Sequence, residues 1–74
     1  GTVPAFLARI IKRDAVSNRD MCPVTLEEFT EEIKAAVTPC FHLFTEAGLC
    51  AWLDTKGECP TCKAGVDKDA CLFL

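Results

Sequence analysis

Two short motifs constrain this chain more than anything else in it: Cys40-Phe41-His42 and, after sixteen intervening residues, Cys59-Pro60-Thr61-Cys62. Cys-x-His offers two metal-ligating atoms from one tight turn, and Cys-x-x-Cys offers two more from a second. Three thiolates and one imidazole form a closed tetrahedral set. Zinc suits it, because soft and borderline ligands favour that ion over calcium or magnesium. Four protein ligands leave no position open for water, so the expected metal is a structural tie and not a Lewis acid. Cys40, His42, Cys59 and Cys62 are therefore expected to hold two distant turns together.

Size makes such a tie necessary. A chain of 74 residues is one small domain, and at this size a core rarely supplies more than ~3–5 kcal/mol. A structural zinc adds an apparent ~10–16 kcal/mol. The metal is thus expected to be a condition for folding, and His42→Ala to unfold the domain. Half of the residues are hydrophobic, against disorder, and the net charge of −3 disfavours a nucleic-acid module. Six cysteines, three of them at zinc spacing with His42, point to a reducing compartment, cytosol or nucleus, and not to a secreted disulfide scaffold. No run approaches the ~20 apolar residues of a membrane span, and no signal peptide is evident. A longer, membrane-attached parent remains open.

Along the chain, Thr2 is a candidate N-cap and Pro4 fits the first turn of a helix. Val3, Phe6, Leu7, Ile10 and Ile11 recur at helical spacing, which predicts an amphipathic helix ending near Val16. It either completes the core or serves as a dimerising or partner-binding element. Residues 1–20 are read as this helix and its connector, and 21–74 as the zinc domain. Leu26, Phe29 and Ile33 are the expected anchors of an acidic stretch containing Glu27, Glu28, Glu31 and Glu32, forming a loop with a short helical turn. Lys34 to Thr38 is expected to be a strand. Thr45 is a candidate N-cap for a helix to about Asp54, with Leu49, Trp52 and Leu53 on one face. Cys71 to Leu74 is expected to pair as a strand or to pack on the first helix.

Cys22-Pro23-Val24, Cys40-x-His42, Trp52-Leu53 and Cys59-Pro60-x-Cys62-Lys63 together resemble the skeleton of a RING finger over residues 21 to 66. That resemblance implies a small α+β zinc-bound domain with a short β-hairpin and a central helix. A full RING binds two zinc ions in a cross-braced arrangement. Here one ligand set is intact, whereas the other has Cys22 at its first position followed by Thr25, Thr45 and Gly48. A threonine hydroxyl is a poor zinc ligand and glycine offers none. One zinc is therefore expected, with hydrogen bonds and packing in place of the second, as in the similar single-zinc SP-RING, degenerate RINGs and the metal-free U-box. Cys22, Cys50 and Cys71 are read as buried thiols; an irregular second metal site or a disulfide are the alternatives.

The resemblance further implies an E3 ubiquitin ligase module that recruits a ubiquitin-charged E2 enzyme and holds it for attack by a substrate lysine. The E2-binding groove would be lined by Val24, Trp52 and Pro60, with Leu49 a further candidate or a core residue. Aromatics at helical spacing are often core, and it is the position of Trp52 relative to Cys-x-His that assigns it to the groove. Lys63 stands where the family often has a basic linchpin, usually arginine. Lysine keeps the charge but lacks the planar fork. The acidic run would steer a basic E2 surface. The competing readings are a SUMO ligase of the SP-RING kind and a non-catalytic assembly domain.

Overall fold

The computed structural model describes residues 3–74. Thr2, the candidate cap, lies outside the described residues. The first helix, α1 (Ala5–Asn18), starts after extended Pro4, whose carbonyl accepts from the Ala8 N–H at 3.1 Å. It ends two residues past the expected Val16 because a Schellman motif closes it. Asp20 N–H donates to Ala15 O at 2.9 Å and Arg19 N–H to Val16 O at 3.2 Å, with Arg19 in the left-handed conformation.

Only part of the expected apolar face of α1 is buried. Val3, Ala8 and Ala15 are buried, with Leu7 and Ile11 half-buried beside them, whereas Phe6 and Ile10 are 67 % and 39 % exposed. The buried stripe runs at four-residue steps, and its alanines let the helix lie close against its support. That support is the sheet: Val3, Ala8 and Val37 form one cluster, closed by Ile11, Leu43, Leu72 and Leu74.

The sheet has three antiparallel strands in the order β2-β1-β3, with β1 Ala35–Val37, β2 Leu43–Thr45 and β3 Leu72–Phe73. Being central, β1 is covered on both faces. Ala35, Ala36 and Val37 are fully buried, and small side chains suit the space left between two packed layers. The hydrophobic tail therefore does both things expected of it: it pairs with β1, and its leucines pack under α1. Helix α2 (Glu46–Thr55) follows β2 directly and packs over the sheet. Thr45 caps it, accepting from Gly48 N–H at 3.2 Å, and Glu46 sits in the first turn, where the positive helix end favours an acid. Leu49, Phe44, Phe29, Cys22 and Cys59 belong to the main core.

Two expectations require correction. Leu49, a candidate groove residue, is completely buried, because its position on α2 faces the sheet. Leu26, an expected anchor, is 68 % exposed with φ of 61°. The stretch from Asp20 to Phe29 is a closed loop of turns without a helical segment. It is pinned by Phe29 N–H to Asp20 O (2.9 Å) and Cys22 N–H to Glu27 O (2.8 Å), and that closure turns Leu26 outward while Phe29 enters the core.

Candidate metal centre and docking surface

The hairpin between β1 and β2 positions the first two ligands. Thr38 N–H donates to His42 O at 3.0 Å and Phe41 N–H to Thr38 O at 2.8 Å, so the loop turns tightly with Phe41 at φ 66°. The other two ligands lie on the loop after α2, closed by Lys63 N–H to Cys59 O (2.9 Å) and Cys59 N–H to Ala64 O (2.8 Å). The ligating atoms of Cys40, His42, Cys59 and Cys62 all lie within 4.8 Å of one another. His42 Nδ1 stands 3.3 Å from Cys40 Sγ and 3.5 Å from Cys59 Sγ. With Zn–S about 2.3 Å and Zn–N about 2.0 Å, a tetrahedron has N–S edges of about 3.5 Å. The donor set thus fits zinc in chemistry and in spacing, with Nδ1 as the ligating nitrogen.

Surrounding groups prepare the thiols. Thr38 Oγ1 lies 2.9 Å from Cys40 Sγ and also accepts from His42 N–H at 3.2 Å, orienting both ligands of the hairpin. Burial pushes the Cys40 thiol up to about 11, and the neighbouring Cys59 and Cys62 add to this against the Thr38 hydroxyl. Burial acts upward on Cys59 too, but the backbone N–H groups of Cys62 and Thr61, with the adjacent thiols, outweigh it and lower Cys59 to about 7. Thr38 carried no signal in the sequence, since its role depends on the hairpin closing.

The positions of the missing ligand set also converge. The backbone of the Cys22 loop repeats that of the metal loop. Leu26 N–H donates to Cys22 O at 2.8 Å and Cys22 N–H to Glu27 O at 2.8 Å, with Leu26 left-handed as Lys63 is at φ 63°. Thr25 therefore stands where the other loop carries Cys62. Its Oγ1 lies 3.4 Å from Thr45 Oγ1, while Thr45 N–H and hydroxyl donate to Cys22 Sγ at 3.3 and 3.6 Å. Burial raises the Cys22 pKa, but these backbone and hydroxyl donors of Thr25 and Thr45 prevail and lower it. Gly48 completes the set by its lack of a side chain, because a Cβ there would stand 2.7 Å from Thr25 Cγ2 and 2.8 Å from Thr45 Oγ1. Every buried side-chain nitrogen and oxygen among the described residues has a partner.

All six cysteines are free. Cys22 and Cys71 are buried and Cys50 is half-buried, and among the described residues the Cys40–His42–Cys59–Cys62 group is the one cluster of three or more metal-ligating side chains. The three remaining cysteines form no such cluster.

Val24 lies against the Gly48 position of α2, and Trp52 on the same helix is tied to the segment that leads to Pro60. Trp52 follows Gly48 by four residues on the same face of α2. The indole Nε1 donates to Glu58 O at 3.0 Å, two residues before Pro60, and Lys56 Nζ lies 5.2 Å from the ring centroid. The ring is thereby held in one orientation while Val24, Trp52 and Pro60 stay half-buried. Exposed Leu26 follows Val24 by two residues in the Cys22 loop. Its exposure was legible only through the correspondence with Lys63 in the second loop.

Residues 20–63 match the family model of the Ring finger domain. The chain is similar to the "E3 ubiquitin-protein ligase RING1" of Gossypium hirsutum, at 32 % identity over 85 % of this chain and 19 % of that protein. It is also similar to the "E3 ubiquitin-protein ligase RNF181" of Danio rerio, at 33 % over 81 % of this chain and 38 % of the relative. The "RING-H2 finger protein ATL54" of Arabidopsis thaliana is 37 % identical over 72 % of this chain and 13 % of its own length. The chain thus spans well under half of each of these relatives.

Proposed function

This chain belongs to the RING finger family, and on that premise we propose that it is the E2-recruiting module of an E3 ubiquitin-protein ligase. The observation that carries the reading is the joint between the two loops. Val24 packs beside Gly48 on α2, the Trp52 indole one turn further on is tied to the segment that leads to Pro60, and all three side chains stay half-buried, which supports reading them as one docking surface.

An E2 docked there presents its ubiquitin thioester to a substrate lysine. The amine attacks the thioester carbonyl, the isopeptide bond forms, and the E2 thiolate leaves. This domain forms no covalent intermediate, and its contribution is to hold the charged conjugate in a reactive arrangement. Val24, Trp52 and Pro60 line the surface, Leu26 extends it, and Leu49 supports it from the core. Lys63, exposed directly after the last ligand, is placed to donate to E2 and ubiquitin together, more weakly than arginine would. The exposed Glu27, Glu28, Glu31 and Glu32 steer a basic E2 surface.

The domain holds one zinc ion, through Cys40, His42, Cys59 and Cys62. The Thr25–Thr45–Cys22 hydrogen bonds and the space at Gly48 support that count, since they occupy the positions of a second ion. Ubiquitin is preferred to SUMO because the relatives are named ubiquitin ligases. A reducing setting, cytosolic or nuclear, keeps the ligand thiols able to hold metal. The exposed Phe6 and Ile10 on α1 suit a contact with a second copy or another subunit.

The test is discharge of ubiquitin from a panel of charged E2 enzymes onto free lysine. Trp52→Ala and Val24→Ala should each slow discharge about tenfold or more while zinc content is kept, as expected for anchors of a docking surface. Equal rates in parent and variants would refute the groove. A folded, zinc-loaded parent that discharges no E2 in the panel would instead favour the assembly reading.

A further inference from the structure

α1 and β3, both outside the family-matched residues, enclose a groove of about 620 Å³ that contains none of Val24, Trp52 or Pro60. One wall is basic. Arg9, Lys12 and Arg13 all stand in it, in a chain whose net charge is −3, and Glu31 is the acidic residue at its rim. Lys12 Nζ donates to Glu31 O at 3.3 Å and Ile33 O at 2.8 Å, tying that loop to the helix. Arg9 and Arg13 are exposed and line the groove.

The opposite wall is a strand edge. β3 is outermost in the sheet, paired to β1 on one side, with Leu74 N–H donating to Ala35 O at 2.8 Å and Phe73 opposite Ala36. Antiparallel ladders alternate hydrogen-bonded and non-hydrogen-bonded pairs. Leu72 and Leu74 therefore turn their main-chain groups toward β1, and Phe73 turns its N–H and C=O away from it. Phe73 is 37 % exposed. Leu72 and Leu74 place their side chains on the α1 side of the sheet, and Phe73 places its own on the other.

We propose that this groove binds an extended acidic–apolar peptide segment of a partner protein, which adds antiparallel to β3 as a fourth strand. The N–H and C=O of Phe73, which pair with no described residue, supply main-chain hydrogen bonds, the mode by which sheet edges take up peptides. Along the added strand, side chains alternate between the two faces. Those on the α1 side carry carboxylates to Arg9 and Arg13, where the planar guanidinium favours paired hydrogen bonds. Those on the other side are apolar and lie beside Phe73. An anionic lipid surface satisfies the arginines but not the strand edge, which decides for a peptide. The site is separate from the E2 surface and can be occupied with it.

The probe is a fluorescein-labelled octapeptide of alternating glutamate and leucine, titrated into the zinc-loaded chain and read by anisotropy and by amide shifts. Binding is expected, with shifts centred on Leu72, Phe73 and Leu74. The double variant Arg9→Glu/Arg13→Glu should weaken it by about tenfold or more. A peptide methylated on its leucine nitrogens, which removes the N–H groups facing Phe73, should bind at least as weakly, and this comparison leaves the protein unaltered. Absence of binding, equal binding by the methylated peptide, or equal binding by the double variant would each overturn the proposal. So would binding confined to phosphatidylserine vesicles, which would make the basic wall a membrane contact.

Discussion

Gly48→Ala separates a general rule of helix stability from what this tertiary structure imposes. Gly48 lies inside α2, and in an exposed helix the exchange to alanine stabilises by about 1 kcal/mol. Here the added Cβ would stand 2.7 Å from Thr25 Cγ2, 2.8 Å from Thr45 Oγ1 and 3.5 Å from Val24 Cβ. Thr25 cannot yield cheaply, because it is β-branched and its hydroxyl is engaged with Thr45. Thr45 cannot either, since it caps α2 and donates to Cys22. Overpacking of this kind costs about 1–3 kcal/mol, and loss of one of the hydroxyl contacts adds about 0.5–1.5 kcal/mol. Set against the propensity gain, the net expectation is a loss of about 0.5–3.5 kcal/mol. Urea unfolding at saturating zinc measures it. Thr25→Ser removes Cγ2 and keeps the hydroxyl, so in the double variant at least about 1 kcal/mol of the loss should return as a coupling energy. A Gly48→Ala variant more stable than the parent would refute the idea that these side chains fill the place of a ligand set.

Two further outcomes concern the close of α1 and the ligand thiols. Arg19→Gly should stabilise the domain by about 0.5–1 kcal/mol in the same assay, because Arg19 closes α1 at φ 57°, where glycine escapes the Cβ clash; a loss would show that the arginine side chain makes a contribution larger than that strain. Zinc affinity, followed by calorimetry, should fall as pH is lowered from 8 to 6, by about tenfold per pH unit for each proton displaced. Cys40, pushed up to about 11, enters as a thiol across this window and releases a proton on binding, while Cys59, lowered to about 7, changes from mostly ionised to mostly protonated within it. Affinity independent of pH would exclude thiolate ligation.

The ligand spacing was legible because metal-binding loops are local. Cys-x-His and Cys-x-x-Cys each place two donors within one turn, so the pairs are fixed before the chain folds around them. The cap at Thr45 was legible for the same reason, being a bond across three residues. Position within a packed whole was not. Phe6 and Leu7 follow one another in the same apolar helix, yet only the docking of α1 on a three-stranded sheet decided that Phe6 faces outward. Leu26 and Leu49 are the same residue type at plausible anchor sites. The closure of the Cys22 loop turned one outward, and the approach of α2 to β1 and β2 buried the other. Hydrophobicity states what a side chain gains from burial, whereas which side chains obtain it depends on the few surfaces that meet.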